Sequence, residues 1–265
     1  GSYKDGLDHW INDKNYIDIF NVLWQHTEKD IDQHFLHKDG PFHSGRLTIE
    51  RVEEWDWPDG RNLGLAEGVK ERVQAIKSMG DYAVSLYLPG GVIHRGYAMR
   101  GMEAYLKDLY KSPEALERLM DKLCEFWCET AETVITTAGS ENIDTVYFGE
   151  DLGTQDGCMF DPDGIYAKYL KPRHARMVST VKGLTNGKAK ICFHCCGSAY
   201  SFIPHLIDIG IDALNPVQVT AANMEPERLK DEFGDKITFW GGINTQSILP
   251  FGTPKEVAEE TQRII

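Results

Sequence analysis

Three cysteines and a histidine lie within one short apolar segment, and these residue types can bind metal ions or act as nucleophiles. The segment reads Cys192-Phe193-His194-Cys195-Cys196-Gly197. If it forms a β-strand, its side chains alternate between two faces, so His194 and Cys196 share one face and Cys195 points to the other. Imidazole and thiolate are ligands that a borderline-soft ion such as zinc accepts. The spacing therefore predicts His194 and Cys196 as metal ligands at the carboxyl end of this strand.

Polar residues also follow the neighbouring predicted strands. Glu150 and Asp151 come directly after a strand predicted at 145–148. Adjacent acids at a strand end can cap a helix or form salt bridges, or one of them can ligate the metal, bind the ligand histidine or hold a substrate group. We expect Glu150 and Asp151 to be catalytic. A second set of loop residues is expected to line a substrate pocket, although each also fits plain loop or core structure: Gln155, Asn215, Gln218, Trp240 and Asn244.

Short apolar runs alternate with helix-length amphipathic stretches from about residue 63 onward. Strands are predicted at 82–88, 145–148, 189–193, 213–214 and 237–239, and the longest helices at 63–79, 102–110, 113–138, 162–184 and 254–265. This alternation predicts an α/β fold with a parallel sheet.

Functional residues at the carboxyl ends of successive strands are typical of a (β/α)₈ TIM barrel, because its eight βα loops meet on one face. A doubly wound open sheet is the alternative, but no predicted strand leads into a Gly-x-Gly-x-x-Gly phosphate loop. Only five strands are recognisable, so we expect a barrel that is incomplete at its N- and C-terminal ends. No linker divides the sequence, which predicts one domain over 1–265, with an irregular segment over 1–60 and regular units over 61–265.

The composition is that of an ordinary globular chain and restricts the classes of partner. The 265 residues include 41 acidic and 28 basic side chains, for a formal net charge of −13. This charge disfavours nucleic acid and anionic membranes, and no basic patch offsets it. No run approaches the roughly 20 apolar residues of a membrane span, and no secretory signal is recognisable, so a cytoplasmic location is expected. Six cysteines are too few for a disulfide scaffold and fit reduced thiols.

The chain from about residue 51 to its end resembles the uroporphyrinogen decarboxylase superfamily. The resemblance rests on the following combination of motifs: Trp57-Pro58-Asp59, Arg100-Gly101-Met102-Glu103, Glu150-Asp151-Leu152-Gly153-x-Gln155, His194-x-Cys196-Gly197, Gly210-Ile211-Asp212-Ala213-Leu214-Asn215-Pro216-x-Gln218 and Phe239-Trp240-Gly241-Gly242-Ile243. It implies a (β/α)₈ barrel and one of two activities. These are decarboxylation of uroporphyrinogen, and zinc-dependent methyl transfer of the methylcobalamin:coenzyme M methyltransferase type.

The site residues favour the methyltransferase branch. Uroporphyrinogen carries eight carboxylates and calls for arginines, but only Arg95 and Arg100 are predicted near a barrel mouth. The His194-x-Cys196-Gly197 end is similar to the zinc motif of the methyltransferases, whose third ligand is a cysteine on the last strand. No cysteine follows Cys196, so that ligand would fall beyond Ile265, and the chain alone is expected to hold zinc weakly.

The resemblance then implies zinc as cofactor, a small-molecule substrate, and methylcobalamin carried by a corrinoid-binding partner protein. The direction of transfer and the oligomeric state stay open. A metal-free decarboxylase of a porphyrinogen or related acid is the first alternative, and a non-catalytic barrel subunit is the second.

Overall fold

The computed structural model describes residues 9–12, 14–26, 35–89 and 91–265. The chain divides into two compact units. Unit 1 comprises Gly1–Val84 and Gly90–Asn142, and unit 2 comprises Ser85–Pro89 and Ile143–Ile265. None of the described helices combines the length and the apolarity needed to cross a bilayer. The expectation of a single domain over 1–265 stays a prediction.

Unit 1 contains a helical layer organised around one long helix. Its helices are α1 (Ile49–Glu54), α2 (Val69–Met79), α3 (Val92–Arg100), α4 (Met102–Lys111) and α5 (Pro113–Ala138), with short 3-10 turns at Leu63–Ala66 and Ser140–Asn142. Helices α1 to α4 all pack against α5. The buried residues of α5 recur every three to four positions, from Leu116 through Leu123 to Ala138, which gives it a continuous apolar face. Pro113 begins this helix and Gly139 ends it with a φ of 80°, at the predicted bounds.

The expectation of an irregular segment over 1–60 is wrong, because a four-stranded antiparallel sheet lies there. Its strands pair in chain order: β1 (His9–Asn12), β2 (Asn15–Ile17), β3 (Leu23–His26) and β4 (Phe35–Asp39). Each strand has three to five residues and mixes polar with apolar ones, so no continuous apolar run marks it. Cross-strand aromatic pairs support the sheet instead, with ring centroids 5.0 Å apart for Trp10 and Tyr16 and 6.2 Å apart for Tyr16 and Trp24.

Helix α3 was not predicted either, and a glycine explains why. Gly96 lies in its middle, where glycine lowers helix propensity. A Cβ added at Gly96 would lie 2.3 Å from the ring of Tyr105 on α4. The glycine therefore allows α3 and α4 to pack closely, and tertiary contact outweighs the local propensity.

Unit 2 is built on a five-stranded parallel sheet. Its strands are β5 (Ser85–Tyr87), β6 (Thr145–Gly149), β7 (Lys190–His194), β8 (Ala213–Asn215) and β9 (Thr238–Phe239). Between and after the strands lie a π-helix (Pro162–Leu170), α6 (Lys171–Leu184), a 3-10 turn (Tyr200–Phe202), α7 (Ile203–Asp208), α8 (Pro226–Phe233), α9 (Ile248–Phe251) and α10 (Pro254–Ile264). All five predicted strands are present, and their observed bounds shift by at most three residues.

The sheet of unit 2 has the arrangement of a TIM barrel. Its strands are parallel and neighbour one another in chain order, whereas a doubly wound sheet reverses its order part-way. Tyr147 on β6 and Trp240, which follows β9, have ring centroids only 6.0 Å apart. Three strand spacings in a flat sheet would separate them by about 14 Å. The sheet is therefore strongly curved, and the predicted α/β barrel fold class is confirmed.

Alternation along the strands gives this sheet two different faces. Val146, Phe148, Ile191, Phe193 and Leu214 project to the helix side, where all five are fully buried. Phe148 and Phe193 are paired in register, and their rings meet edge to face at 5.4 Å. The opposite face carries Tyr147, Cys192 and His194. The apolar core thus holds the strands, and the other face presents polar side chains at the strand ends.

Candidate metal centre

Three side chains that can ligate a metal converge where β6 and β7 end. The ligand atoms of Asp151, His194 and Cys196 all lie within 4.8 Å of one another. Cys196 Sγ is 3.3 Å from His194 Nε2, and Asp151 Oδ1 is 3.8 Å from the same nitrogen. Ligand atoms of a tetrahedral zinc site with bonds of 2.0–2.3 Å are roughly 3.5 Å apart. The three donors therefore fit around one zinc ion after small side-chain shifts.

Hydrogen bonds to the far side of the His194 ring orient its metal-facing nitrogen. His194 Nδ1 lies 2.7 Å from the Tyr147 hydroxyl and 3.0 Å from Asn215 Oδ1. The Asn215 Nδ2 group donates to the Trp240 carbonyl at 3.1 Å, which turns Oδ1 toward the histidine. Because Oδ1 can only accept, we assign the ring proton to Nδ1. The lone pair of Nε2 then points toward the other two ligands, as metal binding requires.

The Tyr147 hydroxyl completes this arrangement by donating to Asn215 Oδ1 at 2.7 Å. Burial raises the pKa of Tyr147 to about 12, so the hydroxyl keeps its proton at neutral pH. Tyr147 was not among the predicted site residues. Spacing along one segment does not reveal it, because its place depends on the register of β6 against β7, in which Tyr147 pairs with Cys192 and lies on the same face as His194.

The environment of Cys196 suits a metal ligand better than a free nucleophile. Burial and the nearby Asp151 carboxylate raise the pKa of the Cys196 thiol to about 11. Cysteines that react as free nucleophiles have lowered pKa values instead. A cation between the thiol and the carboxylate would favour the thiolate. Asp151 Oδ1 also accepts a hydrogen bond from the Cys196 N–H at 2.8 Å, which ties the two ligands together.

Cys195 and Glu150 lie outside the cluster. Cys195 is fully buried, and its Sγ accepts a hydrogen bond from the Leu152 N–H at 3.4 Å. The Glu150 side chain is also fully buried, and its Oε1 lies 3.3 Å from His174 Nε2 on α6. Successive side chains of an extended chain point to opposite sides, which separates Glu150 from Asp151. The structure therefore brings one of the two predicted acids, Asp151, to the predicted ligands.

The residues expected to line a substrate pocket occupy different places. Gln155 Nε2 donates to Gln218 Oε1 at 2.9 Å, and the same oxygen accepts from the Gly197 N–H at 2.7 Å. The Trp240 side chain is half exposed beside Tyr147. Asn244 instead caps its own turn, since its Oδ1 accepts from the N–H groups of the residues two and three positions later. Roles in substrate binding stay predictions for Gln155, Asn215, Gln218, Trp240 and Asn244.

Glycines allow the loops that carry the ligands to pack backbone against backbone. A Cβ at Gly149 would lie 2.1 Å from the carbonyl oxygen of His194. Gly197 adopts a φ of 73°, and a Cβ there would lie 2.6 Å from the Thr154 carbonyl oxygen. Larger residues at these two positions would push the β6 and β7 loops apart.

Comparison with known proteins agrees with the resemblance seen in the sequence. The family model described as "Uroporphyrinogen decarboxylase (URO-D)" matches residues 33–265, and the protein belongs to this family. No curated protein sequence matches the chain.

Among solved structures, the chain is similar to a methyltransferase from Methanosarcina mazei. The two chains are 14% identical with a TM-score of 0.66, and the match covers 91% of this chain and 66% of the other. The chain thus spans just under two thirds of that protein's length. At this identity the likeness supports the shared fold.

Proposed function

We propose that the protein is a zinc-dependent methyltransferase that transfers a methyl group between a corrinoid and a thiol or another small acceptor or donor. The observation that carries the proposal is the convergence of Asp151, His194 and Cys196 at the carboxyl ends of barrel strands. Active sites of TIM barrels lie on this face. Membership of the URO-D family and the methyltransferase neighbour support the same reading.

The three side chains would hold the ion and leave one coordination position for substrate. When bound, zinc would supply a Lewis acid that lowers the pKa of a substrate thiol. His194 contributes an oriented nitrogen, because Tyr147 and Asn215 fix its ring. The Asp151 carboxylate adds negative charge and fixes the backbone next to Cys196. The methyl group would be carried on a corrinoid bound to a partner protein, and the proposal covers transfer in either direction.

The positions of the arginines weigh against a porphyrinogen decarboxylase. Arg95 forms an ion pair with Asp18, and Arg100 forms one with Asp108 at 2.6 Å, so both predicted mouth arginines are engaged inside unit 1. The arginines of unit 2 lie on helices rather than in the loops that follow the strands: Arg173 and Arg176 on α6, Arg228 on α8 and Arg263 on α10. Recognition of eight carboxylates would need arginines at the strand ends.

A methyl-transfer assay tests the proposal. The zinc-loaded protein is incubated with methylcobalamin and a series of small thiols, and methyl thioether is measured by mass spectrometry. We expect product formation that requires zinc, is lost in Cys196→Ala and is retained in Cys158→Ser, a matched change at an exposed cysteine. Zinc-independent release of CO₂ from uroporphyrinogen, without methyl transfer, would overturn the proposal in favour of the decarboxylase.

A further inference from the structure

A buried triad of polar side chains lies next to the candidate metal centre. Glu150, His174 and Tyr166 are all fully buried. Glu150 Oε1 lies 3.3 Å from His174 Nε2, and the Tyr166 hydroxyl lies 3.3 Å from His174 Nδ1. Burying three such groups is costly unless each has a partner, and here the histidine links the other two. The proposed methyl transfer makes no use of them.

The buried triad is connected to the metal ligands through the backbone. Glu150 directly precedes Asp151, and the Glu150 N–H donates to the carbonyl oxygen of His194 at 2.9 Å. Its side chain is held at the other end by His174, in the first turns of α6. Glu150, the residue before Asp151, is therefore fixed by a backbone hydrogen bond to β7 and by a side-chain contact to a helix.

The helix that carries Tyr166 is also unusual. Residues Pro162–Leu170 form a π-helix that leads into α6. Such helices are rare and occur frequently at functional sites. The ring of His174 packs against Phe193, with centroids 5.3 Å apart, and Phe193 directly precedes His194 on β7. The buried side chains thus lie against both strands that supply the metal ligands.

We propose that Glu150, with His174 and Tyr166 behind it, is a positioning residue that sets the place of Asp151 against Cys196 and His194. This inference rests on the proposed function, because that proposal assigns Asp151, Cys196 and His194 as metal ligands. Without the Glu150 carboxylate, His174 Nε2 loses its acceptor and the backbone before Asp151 loses its tie to α6. The hydrogen bond from the Cys196 N–H to Asp151 should then open more often.

The first test uses metal-free protein and needs neither zinc nor activity. Amide hydrogen exchange at Cys196 is measured by NMR in wild type, Glu150→Ala and Glu150→Gln. We expect exchange about tenfold faster in Glu150→Ala, because the bond to Asp151 is weakened. Glu150→Gln should restore the slow rate, because a glutamine Oε1 can still accept from His174. Equal exchange rates in wild type and Glu150→Ala would overturn the inference.

The second test measures zinc affinity by competition with a chromogenic chelator. Glu150→Ala is expected to weaken zinc binding about 10-fold, within the range known for groups that support metal ligands, and Glu150→Gln to restore it. The matched control is Phe202→Leu, because Phe202 packs on Tyr166 with ring centroids 5.2 Å apart and lacks a polar group. It should lower the melting temperature without changing the dissociation constant for zinc.

Loss of zinc affinity in Phe202→Leu in proportion to its melting temperature would show a merely structural role and overturn the inference. If Glu150→Ala does not fold, Tyr166→Phe provides the test, since it removes only the hydroxyl oxygen that contacts His174 in the buried triad. Tyr166→Phe should accelerate exchange at Cys196 severalfold, and an unchanged rate would overturn the inference. Failure of the proposed function would give a different result. Wild-type protein would then lack zinc uptake or methyl transfer, while the hydrogen-exchange differences between wild type and the variants would remain.

Discussion

Replacing Tyr147 with phenylalanine should weaken zinc binding without disturbing the ligands themselves. The change removes one oxygen that lies 2.7 Å from both His194 Nδ1 and Asn215 Oδ1. The aromatic ring stays, so its contacts with Trp240 and with Tyr87 on β5 are kept. The expected loss is therefore that of the hydroxyl alone.

The structure indicates that the loss of zinc affinity in Tyr147→Phe lies at the lower end of the range known for groups that support metal ligands. Groups that support metal ligands contribute about 10- to 100-fold to metal affinity, or roughly 1.4–2.8 kcal/mol. Asn215 Oδ1 lies 3.0 Å from His194 Nδ1, so in Tyr147→Phe it should still accept the ring proton. We therefore expect the dissociation constant for zinc to rise about tenfold in Tyr147→Phe. The double variant Tyr147→Phe/Asn215→Leu should approach a 100-fold rise.

Chelator competition measures these constants, and Tyr87→Phe is the matched control. Tyr87 lies in register with Tyr147 on the neighbouring strand, its side chain is exposed, and no described hydrogen bond joins it to His194. Tyr87→Phe should bind zinc as wild type does. An affinity of Tyr147→Phe within twofold of wild type, or an equal loss in Tyr87→Phe, would refute the assigned orientation of His194.

Three further outcomes follow from burial, exposure and packing. The Cys196 thiol has a pKa raised to about 11 and is protonated below it, so zinc binding should release its proton. Zinc affinity should then rise roughly tenfold per pH unit from pH 7 to 9. Titration calorimetry in buffers of different ionisation enthalpy measures the number of protons released on zinc binding, and this number should fall by about one in Cys196→Ala. A thiol reagent at pH 8 should label Cys158 first, because this cysteine is exposed, and Cys158→Ser should remove the fast phase seen by mass spectrometry. Gly149→Ala should lower the free energy of unfolding in urea by at least about 2 kcal/mol, because its Cβ meets the His194 carbonyl, whereas Gly183→Ala, with open space on α6, should not destabilise the protein.

Strand alternation predicted the parts of the site that depend on local geometry. The five parallel strands of unit 2 lie in short apolar runs that alternate with helix-length stretches, which makes them recognisable, and His194 and Cys196 come together as period-two spacing requires. The same rule separates Glu150 from Asp151, but it does not say which acid faces the metal. That choice depends on His174, which comes from a helix more than twenty residues later.

The features that the sequence did not reveal depend on tertiary contacts. The strands β1 to β4 are short and supported by cross-strand aromatic pairs, and α3 contains Gly96, which only its packing on Tyr105 explains. The role of Tyr147 requires the register of β6 against β7 and the orientation of the Asn215 amide. None of these pairings can be read from spacing along one segment.

X-ray absorption at the zinc edge of the loaded 265-residue chain tests the central claim most directly. Because Asp151 offers a third ligand within the chain, we expect about one zinc per chain at saturating zinc, with a single sulfur neighbour at about 2.3 Å and nitrogen or oxygen neighbours at about 2.0 Å. The sulfur signal should disappear in Cys196→Ala, and Asp151→Ala should lower the zinc occupancy. A zinc ion without a sulfur neighbour, or an unchanged spectrum in Cys196→Ala, would contradict a metal centre formed by Asp151, His194 and Cys196.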